Sequence, residues 1–278
     1  MKENHKCIIL KNDKIFRHVV EYHDAVKYPG AVYPYKEKED EMRVLAIGDI
    51  HTPVEHPAYL SFCKDMQAKW KCDKVVFIGD VVDHHCISFH PKETDASGPK
   101  EEYFQILEHI KPWYKTFAKA MVMIGNHDAR PERVAAGANL SQIYLKSYED
   151  VWDTPAWEWK WETIIDDVYY THGTNNGGIH PSFNLAAKMG MSCVIGHCHS
   201  ASGIKWHASP RARWFGMDTG CGIDEDQYAF LYAKKQARRP ILSCGVVIDG
   251  TPYHEIMPCG PKEKYYHKRF KPAIGRRS

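Results

Sequence analysis

The chain has 278 residues, of which 26% are charged and 44% hydrophobic, and its net charge is +2 with histidine neutral. This length allows one large domain with a sizeable core, and the composition is ordinary for a globular protein. So small a net charge does not by itself require a nucleic-acid partner, and no stretch reaches the ~18 consecutive apolar residues of a membrane span.

The first predicted segment, residues 1–42, is an N-terminal appendage. It contains strand-like pieces such as Lys14-Ile15-Phe16, followed by a charged run from residue 36 to residue 41. We interpret it as an edge strand with a solvated linker, and an oligomer contact is the alternative. Exposed aromatic residues are common on protein surfaces and do not decide between the two.

A predicted core domain, residues 43–258, begins with three short apolar runs at 44–47, 75–78 and 121–124. A helical pattern after Pro57 separates the first two runs, and a second helix, disturbed at Pro112, precedes the third. Residues 84–100 are predicted to form a loop. Alternation of strand and helix predicts right-handed crossovers and a largely parallel sheet.

The second half of the domain has shorter connections. Residues 164–171 and 241–248 are each predicted to be a strand. Four tryptophans crowd the approach to the first of these, and we interpret the group as core packing rather than as a binding platform. These are Trp152, Trp157, Trp159 and Trp161. Residues 259–278 form a predicted basic tail.

Five short segments carry residue types that commonly bind metal ions in proteins, and four of the five follow an apolar run that is predicted to be a buried strand. They are Asp49-Ile50-His51, Gly79-Asp80-Val81-Val82-Asp83, Gly125-Asn126-His127-Asp128, His172-Gly173 and Gly196-His197-Cys198-His199. Ligands of α/β sheets collect at the carboxyl ends of strands, so one pocket can gather these groups. Oxygen and imidazole donors suit manganese, iron or zinc, and one carboxylate can bridge two ions about 3.5–4 Å apart.

The ordered set D-x-H, G-D-x-x-D, G-N-H-D, H-G and G-H-x-H resembles the calcineurin-like metallophosphoesterase superfamily, in particular bacterial or phage-type members. The resemblance covers residues 43–200 and is expected to continue to about 250. It implies an α/β fold in which two facing mixed sheets are flanked by helices, a four-layer αββα sandwich with the metals at one edge.

The resemblance also implies roles for individual residues. Asp49, His51 and His199 would bind a first metal, Asp80 would bridge both ions, and the second metal would take the remaining ligands. Those are Asn126, His172 and His197. Alternation along an extended backbone is expected to turn both histidines of the last motif toward the pocket. His127 would be the general acid, and Asp83 would hold its ring, with a helix N-cap as the alternative for Asp83.

Some positions depart from the protein serine/threonine phosphatases of this superfamily. Those enzymes carry an arginine directly after the last aspartate of G-D-x-x-D, where this chain has His84, followed by His85. Asp128 also replaces a glutamate, so a protein phosphatase is disfavoured. Arg130 and Arg133 are interpreted as a solvated helix face, with an approach to the site as the alternative. Asp218-Thr219-Gly220-Cys221 resembles a segment that closes the active-site edge in bacterial dinucleotide-polyphosphate hydrolases and related phage phosphatases.

Two regions have the composition of a nucleic-acid surface. The tail has seven Lys/Arg residues after position 261 against one glutamate, with interleaved aromatics, and a flexible solubilising tail is the alternative. The second region combines basic and aromatic side chains over residues 205–214. It contains Lys205, Trp206, Arg211, Arg213 and Trp214.

The sequence therefore predicts a metal-dependent phosphoesterase with two divalent ions, manganese before iron, zinc or nickel. A metal-bridged hydroxide would hydrolyse a phosphodiester of a nucleotide or nucleic acid, as in the DNA-repair exonuclease and phosphodiesterase branches of the superfamily. A phosphomonoesterase (phosphatase or nucleotidase) is the first alternative, and a non-catalytic metal-bound scaffold is the second. Nine cysteines, an odd number, and the absence of a secretory signal predict reduced thiols in the cytoplasm. The oligomeric state stays open.

Overall fold

The computed structural model describes residues 9–11, 14–16, 41–88, 97–224, 239–260 and 264. The chain divides into two compact units, Met1–Glu39 and Asp40–Ser278. In the first unit, strands β1 (Ile9–Lys11) and β2 (Lys14–Phe16) form an antiparallel pair. Most of the predicted basic tail, 261–263 and 265–278, lies outside the described residues.

Strands and helices alternate in the first half of the second unit, and strands predominate after that. The described strands are β3 (Arg43–Ile47), β4 (Lys74–Phe77), β5 (Ala120–Met123), β6 (Trp157–Lys160), β7 (Glu162–Ile165), β8 (Val168–Thr171), β9 (Ser192–Ile195), β10 (Ser202–Ala208), β11 (Arg213–Thr219), β12 (Ser243–Ile248) and β13 (Thr251–Ile256). The described helices are α1 (Tyr59–Trp70), α2 (Pro99–Thr116), α3 (Arg130–Gly137), α4 (Tyr148–Trp152) and α5 (Pro181–Met189).

The strands form two mixed sheets. The larger has the order β13-β12-β3-β4-β5-β6, in which β3 to β6 are parallel and β12 is antiparallel to both neighbours. The smaller has the order β10-β11-β9-β8-β7, with parallel pairs on both sides of β9 and an antiparallel pair at each edge. The three predicted strands of the first half are confirmed as β3, β4 and β5.

Three apolar clusters separate four layers. The largest joins α1 and α2 to one face of the larger sheet, for example Phe62 and Trp113 against Phe77. A second lies between the sheets, where Val76 of β4 and Phe215 of β11 are fully buried. A third joins α5 to the outer face of the smaller sheet. The fold is thus the four-layer αββα sandwich that the resemblance implies.

One predicted strand differs from the structure. Residues 164–171 are not one strand, because the chain turns back at Asp166 and Asp167, which both have positive φ angles of 50° and 57°, and β7 pairs with β8. The predicted second helix is confirmed as α2, which contains Pro112 and continues to Thr116. The Thr116 Oγ1 hydroxyl donates to the Pro112 carbonyl at 2.8 Å, and burial of Trp113 anchors this last turn.

The tryptophans are only partly as predicted. Trp152 and Trp157 are 3% exposed and belong to the core, whereas Trp161 is 55% exposed between β6 and β7. Among the described residues, none of the helices is both long enough and apolar enough to cross a membrane.

Candidate metal centre

The five motif segments all begin at strand ends. Asp49, Asp80 and Asn126 follow β3, β4 and β5 of the larger sheet, while His172 and His197 follow β8 and β9 of the smaller one. Because the two sheets face each other, the loops after these strands meet at one edge of the sandwich. The structure brings all seven predicted ligands together there.

Several of these side chains sit on an unusual backbone. His51, Asp80 and His197 have φ angles of 51°, 47° and 65°, which non-glycine residues seldom adopt. The expected alternation in the last motif is therefore wrong, since His197 is left-handed rather than extended. Each such residue costs on the order of 1–3 kcal/mol, and clusters of them are typical of functional sites.

One group of ligand atoms gathers around the loop after β3. It comprises Asp49, His51, Asp80 and His199, whose ligand atoms lie within 4.8 Å of one another. His199 Nε2 is 3.1 Å from Asp49 Oδ2 and 3.1 Å from His51 Nε2. His51 Nε2 is 3.6 Å from Asp80 Oδ2. These four are the residues predicted for the first metal.

A second group shares Asp80. Its members Asp80, His172 and His197 also lie within 4.8 Å of one another. His172 Nε2 is 3.3 Å from Asp80 Oδ2, 3.2 Å from His197 Nδ1 and 3.0 Å from the Asn126 amide oxygen. This is the set predicted for the second metal, with the Asp80 carboxylate between the two groups.

The donor chemistry fits a cation in each group. His51 Nδ1 lies 2.9 Å from Asp83 Oδ1, and His172 Nδ1 lies 2.8 Å from the Ile78 carbonyl, so each ring places its proton on Nδ1. Each Nε2 atom then faces carboxylate, amide or imidazole groups at 3.0–3.6 Å. Acceptor atoms that converge in this way repel one another unless a proton or a metal ion lies between them. The residues present therefore fit divalent metal ions.

Two glycines make room for the carboxylates. A Cβ atom on Gly125 would lie 2.2 Å from Asp80 Oδ1 and 2.4 Å from the Asp80 backbone nitrogen. A Cβ atom on Gly196 would lie 2.2 Å from Asp49 Oδ1. Close approach of the backbone, rather than a turn, explains why the third and fifth motifs begin with glycine.

His127 and Asp83 form a pair at the mouth of the centre. His127 Nδ1 lies 3.0 Å from Asp83 Oδ1 and 2.8 Å from the Asp83 carbonyl oxygen, so it carries a proton. Asp83 therefore contacts both His127 and His51, and it does not cap a helix. Burial lowers the pKa of His127, but the nearby Asp80 carboxylate and the bond to Asp83 outweigh burial and leave this pKa raised.

Arg130 is a site residue that the sequence interpretation assigned to a solvated face. It is 6% exposed, at the start of α3, and its Nη2 lies 3.0 Å from His127 Nε2. Its Nη1 donates to the carbonyls of Asp83 at 2.6 Å and His84 at 2.9 Å. The signal available was the spacing from His127, because residues three apart are neighbours on a helical turn. Arg133 is exposed, as predicted.

Asp128 and Glu102 hold the loops of the site through hydrogen bonds to backbone nitrogens. Asp128 accepts hydrogen bonds from the backbone nitrogens of Val82 at 3.1 Å and Gly125 at 2.8 Å, which ties the second motif to the third. Burial, followed by the Asp80 charge, raises the pKa of Asp128 to about 7. Glu102, from α2, is 4% exposed and accepts from the Cys86 nitrogen at 3.0 Å. Neither side chain was assigned a role from the sequence alone.

The remaining candidates lie beside the centre rather than in it. His84 Nδ1 donates to the His127 carbonyl at 2.9 Å, and His85 is buried 3.9 Å from Asp83 Oδ2. Asp218 accepts from the nitrogen and hydroxyl of Ser182 at the start of α5. Cys221, at the end of the same segment, forms an isolated bridge with Asp49, so this stretch borders the site as expected.

Burial and nearby charges shift the pKa values of two ligand histidines in opposite directions. Burial, followed by the neighbouring His127, lowers the pKa of His51 to about 4, although Asp83 and Asp80 oppose this shift. Burial also opposes a charge on His172, but Asp80 and Asp49 more than compensate and raise its pKa to about 10. A cation bound beside Asp80 therefore has to displace a proton from His172, so metal binding and proton release are coupled.

A model of the calcineurin-like phosphoesterase family matches residues 42–218 of the chain. The matched stretch contains all five motif segments and ends at Asp218. None of the curated proteins matches the chain.

Solved structures with a similar fold include three from different organisms. They are a metallophosphoesterase from Sphaerobacter thermophilus (15% identity, 79% of this chain and 89% of that chain, TM-score 0.41), the phosphoesterase Yfce from E. coli (14% identity, 74% and 88%, TM-score 0.38) and Vacuolar Protein Sorting 29 from Cryptosporidium parvum (12% identity, 78% and 96%, TM-score 0.41). These similarities describe the course of the chain and assign no activity to it.

Proposed function

This chain belongs to the calcineurin-like phosphoesterase family, and from that membership and the geometry of its metal centre we propose that it is a two-metal phosphodiesterase. The substrate in this proposal is a phosphodiester of a nucleotide or nucleic acid. The ions are two divalent cations, manganese in the first instance.

The observation that carries the proposal is the shared carboxylate. Two groups of ligand atoms, each within 4.8 Å, have Asp80 in common and otherwise consist of different residues. In this assignment the first ion is held by Asp49, His51 and His199, and the second by His172, His197 and Asn126. When bound, the ions supply a clamp for the phosphoryl oxygens and lower the pKa of water toward neutrality.

His127 acts as the general acid in this proposal. Asp83 fixes one proton on Nδ1, so the second proton of the imidazolium resides on Nε2. From Nε2 it passes to the oxygen of the leaving group as the ester bond breaks. In the structure Arg130 Nη2 donates to Nε2 at 3.0 Å, so Nε2 has to separate from Arg130 and take up a proton from solvent before it acts as the acid.

Two alternatives make different demands on the same residues. A phosphomonoesterase would use the same ions and the same acid on a terminal phosphate. A metal-bound scaffold would not need the acid, yet His127, Asp83 and Arg130 form a hydrogen-bonded group directed at the ligands. That group favours an enzyme over a scaffold.

The experiment is hydrolysis with added manganese of bis-para-nitrophenyl phosphate, of the matching monoester and of a dinucleotide. Wild type is compared with His127→Ala, and His109→Ala serves as a histidine control outside the site. General acid catalysis contributes about 10²–10⁴-fold. Because nitrophenolate leaves with little help from a proton, we expect His127→Ala to lower dinucleotide turnover much more than nitrophenyl turnover.

Each result has one consequence. Faster turnover of the diester than of the monoester supports the phosphodiesterase, and the reverse order moves the enzyme to the phosphomonoesterase alternative. Equal losses for both diesters in His127→Ala would contradict the role of His127 as acid. A protein that binds two metal ions and hydrolyses none of the three compounds would overturn the proposal and leave the scaffold.

A further inference from the structure

One hairpin leads away from the metal centre. Strand β10 begins at Ser202, three residues after the ligand His199, and Ser202 pairs with Thr219 at the end of β11. A strand advances about 3.3 Å per residue, so Trp206 lies roughly 13 Å further along the hairpin than Ser202. The hairpin therefore starts beside the proposed ligands and extends away from them in a fixed direction.

We define the edge patch as Trp206, Arg211 and Arg213 of this hairpin. Trp206 is 46% exposed on β10, the edge strand of the smaller sheet. Its ring meets Phe215 edge to face with 5.5 Å between centroids, so the exposed indole is held in place from below. Arg213 lies over the same ring, with its Cζ atom 5.2 Å from the centroid.

The two arginines of the edge patch have no carboxylate partner among the described residues. None of its basic side chains forms a salt bridge within the described part of the chain. Lys205 lies on the opposite face of β10, where its Nζ atom is 2.8 Å from His180 Nε2. The acidic residue of the hairpin, Asp218, is 8% exposed and is engaged with Ser182. The patch thus combines unpaired cations with a rigid aromatic ring.

We propose that the edge patch binds single-stranded polynucleotide that continues from the phosphodiester held at the metal centre. The inference rests on the proposed function and makes its substrate class more specific. Cations in such a surface follow the phosphates, and bases stack on Trp206 or on the guanidinium plane of Arg213. A stacked strand advances about 3.4 Å per nucleotide, so about four nucleotides span the distance from Ser202 to Trp206.

Substrates of different length distinguish the role of the edge patch from that of the metal centre. A dinucleotide held at the ligands cannot reach Trp206, whereas a 12-mer can. Wild type and the double variant Trp206→Ala/Arg213→Ala are compared on a single-stranded 12-mer, on a dinucleotide and on bis-para-nitrophenyl phosphate. Trp161→Ala is the matched control, because that tryptophan is also half exposed but lies between β6 and β7.

For the double variant we expect kcat/KM on the 12-mer to fall about 5- to 100-fold, the range for the loss of one stacked base. Its kcat/KM on the dinucleotide and on the nitrophenyl ester should stay within about twofold of wild type, and Trp161→Ala should match wild type on every substrate. Unchanged turnover of the 12-mer would overturn the inference, and so would equal losses on all three substrates.

A binding measurement keeps the inference testable if the protein hydrolyses nothing. Fluorescence anisotropy of a labelled 12-mer with the metal-free full chain should show binding that weakens as salt increases, because phosphate contacts release counterions. Loss of this binding in the double variant supports the edge patch even if the phosphodiesterase proposal fails. Binding that persists in the double variant contradicts the edge patch, whatever the activity.

Discussion

Arg130 connects the proposed acid to the loop after the bridging aspartate. Through its two terminal nitrogens the guanidinium contacts His127 Nε2, the Asp83 carbonyl and the His84 carbonyl, all within 3.0 Å. A lysine has one compact ammonium group and cannot reproduce this planar pattern. The residue therefore acts as a positioning group for His127 before substrate arrives.

We predict that Arg130→Ala lowers kcat on a dinucleotide about 10- to 100-fold, since small displacements of a catalytic group can cost about 10²-fold. Arg130→Lys should recover only part of this loss. The decisive measurement is a double-mutant cycle with His127→Ala, because a residue that acts through His127 adds no further loss once that ring is gone. Additive losses would mean that Arg130 acts independently of His127.

The ligand loops depend on glycines that let two backbones approach each other. At Gly125 a methyl group would overlap both the side chain and the backbone of Asp80, neither of which is a flexible end that could swing away. We predict that Gly125→Ala lowers metal content well below two ions per chain. The readout is elemental analysis of protein purified with manganese and freed of excess ions.

Gly137 provides a matched control for that substitution. It lies at the end of α3, and a Cβ atom there meets nothing within 4 Å. Gly137→Ala should keep full metal content, with stability unchanged or higher by up to about 1 kcal/mol. Equal metal content in both alanine variants would show that the loop after β5 can shift without loss of the site.

Helix α2 is tied to the loop after β3 by a titratable pair. His109 Nδ1 lies 2.9 Å from Glu55 Oε1, and this bond raises the pKa of His109 although partial burial opposes the charge. A histidine whose pKa is raised by folding stabilises the fold fully below its unfolded pKa of about 6.5. That contribution is lost as pH rises through the higher pKa of the folded state.

We therefore predict that His109→Gln destabilises the metal-free protein at pH 5.5 and has almost no effect at pH 8.5. The side chain is 43% exposed, so the difference at low pH should be at most about 1 kcal/mol. Urea unfolding of both proteins at the two pH values measures it. A difference that does not change with pH would mean that the pair contributes packing rather than charge.

At the scale of the whole molecule, the ligands were predictable because their signals are local. A short apolar run followed by Asp49, Asp80 or Asn126 places a donor at a strand end, and the sheet brings the ends together. The burial of Arg130 was not predictable from composition, since its partners lie on a loop more than 40 residues earlier. Nor was the turn at Asp166 and Asp167, because two aspartates are a weaker turn signal than Asn-Gly or Asp-Gly.

The strand order of the smaller sheet was also not predictable from the sequence. Strand β9 lies between β8 and β11, and β10 is placed at the edge by its pairing with β11 alone. No local pattern encodes which strand becomes the edge, although this decides which side chains of β10 face solvent. The two-sheet architecture was predicted from the family resemblance. The alternation of strands and helices predicted only the parallel part of the larger sheet.

The metal centre draws ligands from both sheets, so bound ions should hold the sandwich together. His172 and His197 follow strands of the smaller sheet, and Asp49, Asp80 and Asn126 follow strands of the larger one. A ligand at 100 times its Kd stabilises the folded state by about 2.7 kcal/mol. For a chain of this size, about 2–4 °C per kcal/mol then gives a rise in Tm of roughly 5–10 °C for each site that fills.

We predict that manganese raises the Tm of wild type in this way and that Asp80→Asn abolishes most of the rise. The asparagine oxygen can still accept the hydrogen bond from the His127 nitrogen, so the variant should fold, but it loses the charge that both ions share. Asp249→Asn is the control, since Asp249 is exposed in the turn between β12 and β13 and also has a positive φ angle. A rise in Asp80→Asn equal to that of wild type would exclude Asp80 as the bridge between two ions.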